Sequence, residues 1–290
     1  MNGNVKLSTS VAALRSSAVS LIALLVDLLI NSPFVSKKFR SNQRSDERDL
    51  GFGFRVLEED RILRMEPMDH IMLFTKYPIP GYAKTRMIGL LGKEGAAMLS
   101  KELSEHIVRV LRASSKARSA RGDKTFIRLL YAGNCSLDSV TEWLGTQNDE
   151  VVEPQSDGDL GKRLSTSFID SFERMNAKKV LVVGSDIPGI SEDIIQEAFQ
   201  FLDDVDVVVG PSFDGGYYLM GMRQPTVQVF QNIPWSCDRT LEATKQRMSE
   251  AGLSCKELGP LADVDEPADF EEWGKVSGKD KDYYLSRSVA

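Results

Sequence analysis

Lys84 and Arg86 stand two residues apart behind YPIPGYA, and Asp186, Asp214, Asp263 and Asp265 occur in three acidic loops further along. These residue types suit the handling of phosphate. A compact ammonium and a forked guanidinium are different tools for the same oxygens. Pro78 and Pro80 fix φ and disfavour helix for the residues before them, so this loop leaves its strand already extended. Gly81 permits close backbone approach, and the start of a helix supplies free N–H groups that favour an anion. Together these features read as a diphosphate-binding loop; taken alone, the spacing is equally that of a proline-stiffened turn with solvated cations. Neither a Walker loop nor a dinucleotide-binding glycine fingerprint is present.

The carboxylates follow a pattern of their own. VLVVGSDIPG puts Asp186 behind an apolar strand-like run, where an unpaired carboxylate is costly unless something binds it. GPSFDGGYYLMG repeats the arrangement with Asp214, and Gly215 and Gly216 allow unusual backbone beside a ligand. In LADVDEPADF, Asp263 and Asp265 are two apart, a spacing that aims both side chains to one side of an extended segment. Hard oxygen ligands of this kind suit Mg²⁺ or Mn²⁺ held against substrate phosphates. The other reading of each loop is a turn or a helix cap, above all around Asp265.

The elements that must position these residues alternate. HIMLFTKY reads as a buried strand, and Leu99, Leu103, Ile107 and Leu111 recur at the fourfold spacing of a helix face. TFIRLLYAG is the next strand, LDSVTEWL a short helix, and Leu160, Leu164, Phe168 and Phe172 mark another helix. KKVLVVGSD is a continuous apolar run suited to a central parallel strand covered on both faces. IIQEAFQFL is helical, DVVVGPS and GYYLMGM are strands, and a last strand near CKEL precedes a helix opened by Pro267. Serial strand–helix units imply an α/β fold with a mixed, mostly parallel sheet and helices on both sides, in which ligands bind beyond the carboxyl ends of strands.

Composition narrows the classes. A net charge of -6 argues against a nucleic-acid partner, which requires clustered Lys and Arg. Cys135, Cys237 and Cys255 form neither a CxxC pair nor an even set, so no disulfide framework or thiolate zinc site is suggested. With only His70 and His106, imidazole chemistry is poorly supplied, and His106 receives no role. Residues 1–65 read as a separate segment ahead of a domain at 66–290. The hydrophobic run from Val19 to Ile30 falls short of a spanning helix and contains Asp27. It fits a plastid or mitochondrial targeting segment or a signal. It also fits a membrane anchor around residues 16–34, with Lys37, Lys38, Arg40 and Arg44 holding the catalytic part in the cytosol, or an extra amphipathic helix of a cytoplasmic protein.

The set FTKYPIPGYAKTRM, QSDGDLGKRL, VGSDIPG, GPSFDGGYYLMG and DVDEPADF resembles the glycosyltransferase-like DUF2064 family of the nucleotide-diphospho-sugar transferase (GT-A) superfamily, over roughly residues 68–275. It is more distantly similar to 2-phospholactate guanylyltransferases. The resemblance implies a Rossmann-like GT-A three-layer sandwich, a bound nucleotide and a divalent metal, Mg²⁺ or Mn²⁺. Carried over residue by residue, it implies that Lys84 and Arg86 hold phosphate, with Lys76 and Gly81 on the same nucleotide-binding surface. Asp186 takes the place of the metal-binding acidic motif and is the first catalytic residue; only Ser185 precedes it where many glycosyltransferases carry a second Asp. Asp214 is the expected second ligand and catalytic residue, Asp265 the third ligand, and Gly215 and Gly216 accompany them. Gly158, Asp159 and Arg163 match a segment read as contacting base or ribose, the other reading being a helix start capped by Asp159. Tyr217, Tyr218 and Trp235 are read as packing residues, with lining of an acceptor pocket the other role open to Trp235.

The reaction expected from this set is metal-dependent transfer from a nucleotide-activated donor to a small-molecule acceptor. Glycosyl transfer from a nucleotide sugar is the leading form. Nucleotidyl transfer from an NTP to a phosphorylated acceptor is the alternative, and a non-catalytic nucleotide-binding protein of the same fold is the third.

Overall fold

A computed structural model describes residues 66–287. The targeting or anchor segment expected at residues 1–65, with its membrane association at 16–34, lies outside the described residues. Among those described, no helix is long and apolar enough to cross a membrane.

The apolar runs become strands as their patterns require. Strand β1 (Asp69–Lys76) leads through a proline loop to the long helix α1 (Ile88–Ser119), which is broken near its start by Gly92 at φ 72°. Then come β2 (Thr125–Ala132), α2 (Leu137–Leu144), β3 (Glu150–Pro154), α3 (Leu160–Ile169) and β4 (Val180–Gly184). Helix α4 (Glu192–Asp204), β5 (Val207–Pro211), β6 (Tyr217–Met222), α5 (Thr240–Glu250), β7 (Cys255–Glu257), α6 (Phe270–Ser277) and α7 (Lys281–Arg287) complete the chain.

One seven-stranded sheet runs β3-β2-β1-β4-β6-β5-β7. Every pairing is parallel except those of β6, which runs against both β4 and β5. The chain is therefore an α/β protein with a mixed, mostly parallel sheet, as its alternating pattern predicts. Period-two alternation sends Ile71, Leu73, Leu181 and Val183 to one face, with Ile107 and Leu111 of α1 and Ile195 and Phe199 of α4. Met72, Val180, Val182 and Val209 go to the other, with Phe168 of α3 and Met248 of α5. Three layers result. A satellite core of Met87, Leu91, Leu99, Leu103, Val264, Phe270, Trp273 and Tyr284 seats α6 and α7 on the first half of α1.

Three elements depart from the sequence pattern. Strand β3 offers only Val151 and Val152 as apolar residues between acidic neighbours. Helix α5 buries Thr240, Thr244 and Met248, a helix stripe written largely in threonine. Helix α7 is short and buries Tyr284. At α3, Leu164 and Phe168 are buried as expected, but Leu160 is the first helical residue and is exposed.

Candidate functional site

The sheet order places β1 beside β4, so the loops leaving their carboxyl ends are neighbours. After β1 the chain turns on itself: the N–H groups of Tyr82 and Ala83 both donate to the Ile79 carbonyl at 3.0 Å, and Gly81 takes φ 82°. Buried Ala83 and Met87 anchor the loop to the core. Between them Lys84 lies in the left-handed region, φ 46° and ψ 50°, a conformation costing about 1 kcal/mol or more for a residue with a Cβ. That backbone turns its side chain inward. Lys84 is only 7% exposed, and its Nζ donates to Asp186 Oδ2 at 2.6 Å and to Asp265 Oδ1 at 3.5 Å.

Arg86 points outward, 61% exposed, and its Nη1 donates to Asp265 Oδ2 at 2.6 Å, with Glu266 Oε1 at 3.5 Å. Cations from the first loop thus meet carboxylates that follow 102 and 181 residues later in the chain. Backbone bonds hold the participants in register. The Val264 N–H donates to the Asp186 carbonyl at 3.0 Å, and the Leu261 N–H to that of Pro211 at 3.0 Å. Asp265 is not itself a cap: the Asp269 carboxylate accepts from the N–H groups of Asp265 and Glu266 at 3.1 and 2.7 Å, which leaves the Asp265 side chain to Lys84 and Arg86.

The electrostatics follow the geometry. Burial by itself would raise the Asp186 pKa, but the Lys84 ammonium outweighs it, helped by Lys76 and Ser185, and the carboxyl titrates below its usual range. Burial likewise opposes the Lys84 charge, and Asp186 and then Asp265 more than restore it, so its pKa is raised. Asp263 has the opposite surroundings. Burial, then the charges of Asp214 and Asp186, push it up to about 6. The two carboxylates of the DVD run therefore do not share one environment, contrary to their spacing.

Asp214 does not join the Lys84 cluster. Its carboxylate accepts from the Gly216 N–H at 2.8 Å and from the Ser212 hydroxyl, closing its own turn. Gly215 has φ 84°, and a Cβ there would lie 2.1 Å from the Asp238 carbonyl oxygen, so only glycine fits. The expected ligand set of Asp186, Asp214 and Asp265 is accordingly not assembled, and among the described residues no three His, Cys, Asp or Glu side chains are grouped as metal ligands. What the structure brings to one point is two hard oxygen donors, from Asp186 and Asp265, already sharing one cation. Two carboxylates suit a Mg²⁺- or Mn²⁺-type ion whose remaining shell comes from water and substrate phosphates, and not a closed protein cage.

The Gly158 loop belongs to the same edge of the sheet, tied there by Gln155 Nε2, which donates to the Thr75 and Leu130 carbonyls at 3.0 Å. Asp159 caps α3 by accepting from the Lys162 N–H at 2.8 Å. Arg163 Nε donates to the Gly158 carbonyl at 2.8 Å across a backbone of φ 114°. These residues thus build their own loop. Tyr217, Trp235 and Phe230 pack edge to face or tilted in the core beneath α3. Sequence reasoning passed over His106, whose Nε2–H donates to the Pro188 carbonyl at 3.0 Å and braces the Asp186 loop against α1. No sequence signal marks that contact. A hollow of about 720 Å³ opens at the amino ends of β2 and β3, far from these loops, and its Arg112 is committed to Glu150 at 2.7 Å through two nitrogens.

Comparison with known proteins agrees with the fold. Residues 117–237 match the family model described as uncharacterized protein conserved in bacteria, DUF2064. The matched span holds Asp186, Asp214 and the Gly158 loop, whereas Lys84, Arg86 and Asp265 flank it. The 2-phospho-L-lactate guanylyltransferase of Methanopyrus kandleri is 26% identical over 217 residues, 72% of this chain and 93% of that protein. A crystal structure from Desulfovibrio desulfuricans G20, provisionally assigned as a nucleotide-diphospho-sugar transferase, is 29% identical; the likeness covers 77% of this chain and 96% of that one, with a TM-score of 0.65. The chain has the fold of that structure, and the relatives named here are transferases.

Proposed function

We propose that the chain is a transferase that takes a nucleotide-activated donor, and that the reaction is nucleotidyl transfer from an NTP to a phosphorylated small molecule. One observation supports this reading: the buried Lys84 ammonium joins Asp186 and Asp265, so the basic loop after β1 and the acidic residues of two later segments meet at one point. The guanylyltransferase likeness, spanning 93% of that protein, favours an NTP as donor.

In the proposed step an acceptor phosphate oxygen attacks the α-phosphorus of the NTP. The new P–O bond forms as the bond to the α–β bridging oxygen breaks, and the electron pair leaves on pyrophosphate. The acceptor oxygen is already anionic, so no general base is called for. Exposed Arg86 meets the phosphates first, and Lys84 stands behind it to neutralise charge growing on the leaving oxygens, a contribution greater in the transition state than in the ground state. Asp186 and Asp265 are the residues that would hold a divalent cation, which would supply charge neutralisation at the phosphate oxygens. Lys76, whose charge is felt at Asp186, adds a further cation to the same edge.

Glycosyl transfer is the second reading, favoured by the likeness to the Desulfovibrio structure. The two are separated by product. The full chain, incubated with each NTP and a panel of phosphorylated small molecules, is expected to release pyrophosphate; release of a nucleoside diphosphate from nucleotide sugars would favour the second. Asp186→Asn should lower turnover by about 10²–10³-fold. Absence of nucleotide binding under any metal condition would defeat both.

A further inference from the structure

Lys84 occupies the point that a bound cation between Asp186 and Asp265 would neutralise. Its ammonium is 2.6 and 3.5 Å from the two carboxylates, is 7% exposed, and sits on a left-handed backbone that a non-glycine residue rarely adopts. Lys84 already uses the Asp186 and Asp265 oxygens that a divalent cation would take, so a metal arriving alone must displace that ammonium or sit beside it. We infer that Lys84 is an internal stand-in for the metal: its ammonium holds the two carboxylates together and is drawn onto the donor phosphates when they arrive, so that divalent cation and nucleotide bind as a coupled pair.

The geometry supports such an exchange. Lys84 reaches both carboxylates from the end of a long side chain, and exposed Arg86 stands two residues on, so the ammonium can turn toward an anion held by Arg86 while the anchored backbone stays in place. The phosphates bring the negative charge that the metal and two cations then require. Because coupling between two ligands is reciprocal, each should strengthen the other's binding by the same factor. The inference rests on the transferase reading only for the identity of the anion that draws Lys84 away; competition between Lys84 and the metal does not depend on it.

The test is Mn²⁺ binding to the full chain without nucleotide, followed by the electron paramagnetic resonance of free Mn²⁺. Lys84→Gln removes the charge and is expected to bind Mn²⁺ at least about tenfold more tightly than the wild type, since like-charge repulsion beside the metal is lost. Lys84→Arg should show no gain, and adding Asp186→Asn to Lys84→Gln should abolish it. A cooperatively melting Lys84→Gln protein with unimproved Mn²⁺ affinity overturns the inference, as does a gain that survives Asp186→Asn. Should the variants not fold, amine-reactive labelling of the wild type decides: saturating Mn²⁺ should raise labelling of Lys84 relative to exposed Lys162, and unchanged labelling refutes the exchange. If the Mn²⁺ results come out as expected while no nucleotide binds, the proposed reaction fails and the stand-in role of Lys84 survives.

Discussion

Replacing His70 by leucine should stabilise the protein and remove much of its sensitivity to mild acid. His70 lies on β1, opposite Phe126 and Val180 in the neighbouring strands, and is completely buried. Neither ring nitrogen has a hydrogen-bond partner among the described residues, and the ring rests against Phe126 with centroids 5.4 Å apart. Burial, and secondarily the charge of Arg128, lower its pKa to about 3. In the unfolded chain the same imidazole titrates near 6.5. Below that pH the unfolded state takes up a proton that the folded state refuses, so stability is fully present above pH 6.5 and falls as pH drops toward 3. The limiting slope is about 1.36 kcal/mol per pH unit, and between pH 7.5 and 4.5 the loss from this one residue is roughly 2.5 kcal/mol. Leucine also removes two unpaired buried nitrogens, worth about 1 kcal/mol or more at neutral pH. Urea unfolding of wild type and His70→Leu at both pH values measures the effect. Carboxylates that titrate in this window are common to both proteins and cancel in the difference. If the two proteins lose equal stability, within about 0.5 kcal/mol, the account of a buried neutral imidazole is refuted.

Two further perturbations probe the scaffold around the site. Gly215→Ala places a Cβ 2.1 Å from the Asp238 carbonyl at φ 84°, and thermal unfolding should show a loss of about 2 kcal/mol or more; a loss below about 0.5 kcal/mol would mean that the turn holding Asp214 is not constrained as described. Tyr284→Phe removes a hydroxyl that donates to Glu102 Oε2 at 2.5 Å and accepts from Trp273 Nε1 at 2.6 Å, so about 1–3 kcal/mol of stability should be lost as the indole N–H is stranded in the core. Nucleotide affinity should change far less, because α7 and the Asp265 segment meet in the satellite core and not at the Asp265 carboxylate.

The sequence alone determined the layered α/β fold, because its central strands are continuous β-branched runs such as VLVVG and VVVGP that can be satisfied only by cover on both faces. It also placed an acidic residue behind β4 and a proline-stiffened basic loop behind β1, since prolines and glycines act on the backbone locally and need no partner. Strand β3 and helix α5 escaped it: two valines make too short a run, and threonines at the buried positions of α5 hide the apolar stripe. The local bonding of Asp214 was hidden for a related reason, as a short carboxylate beside two glycines can bond its own turn. Which charges meet was settled only in three dimensions. The pairing of β1 with β4 brings loops 102 residues apart into contact, and Asp269, by capping the last segment, frees Asp265 to complete the group. Strand order depends on how whole faces pack against the helices, a cooperative property of the folded chain that residue type and local spacing do not carry.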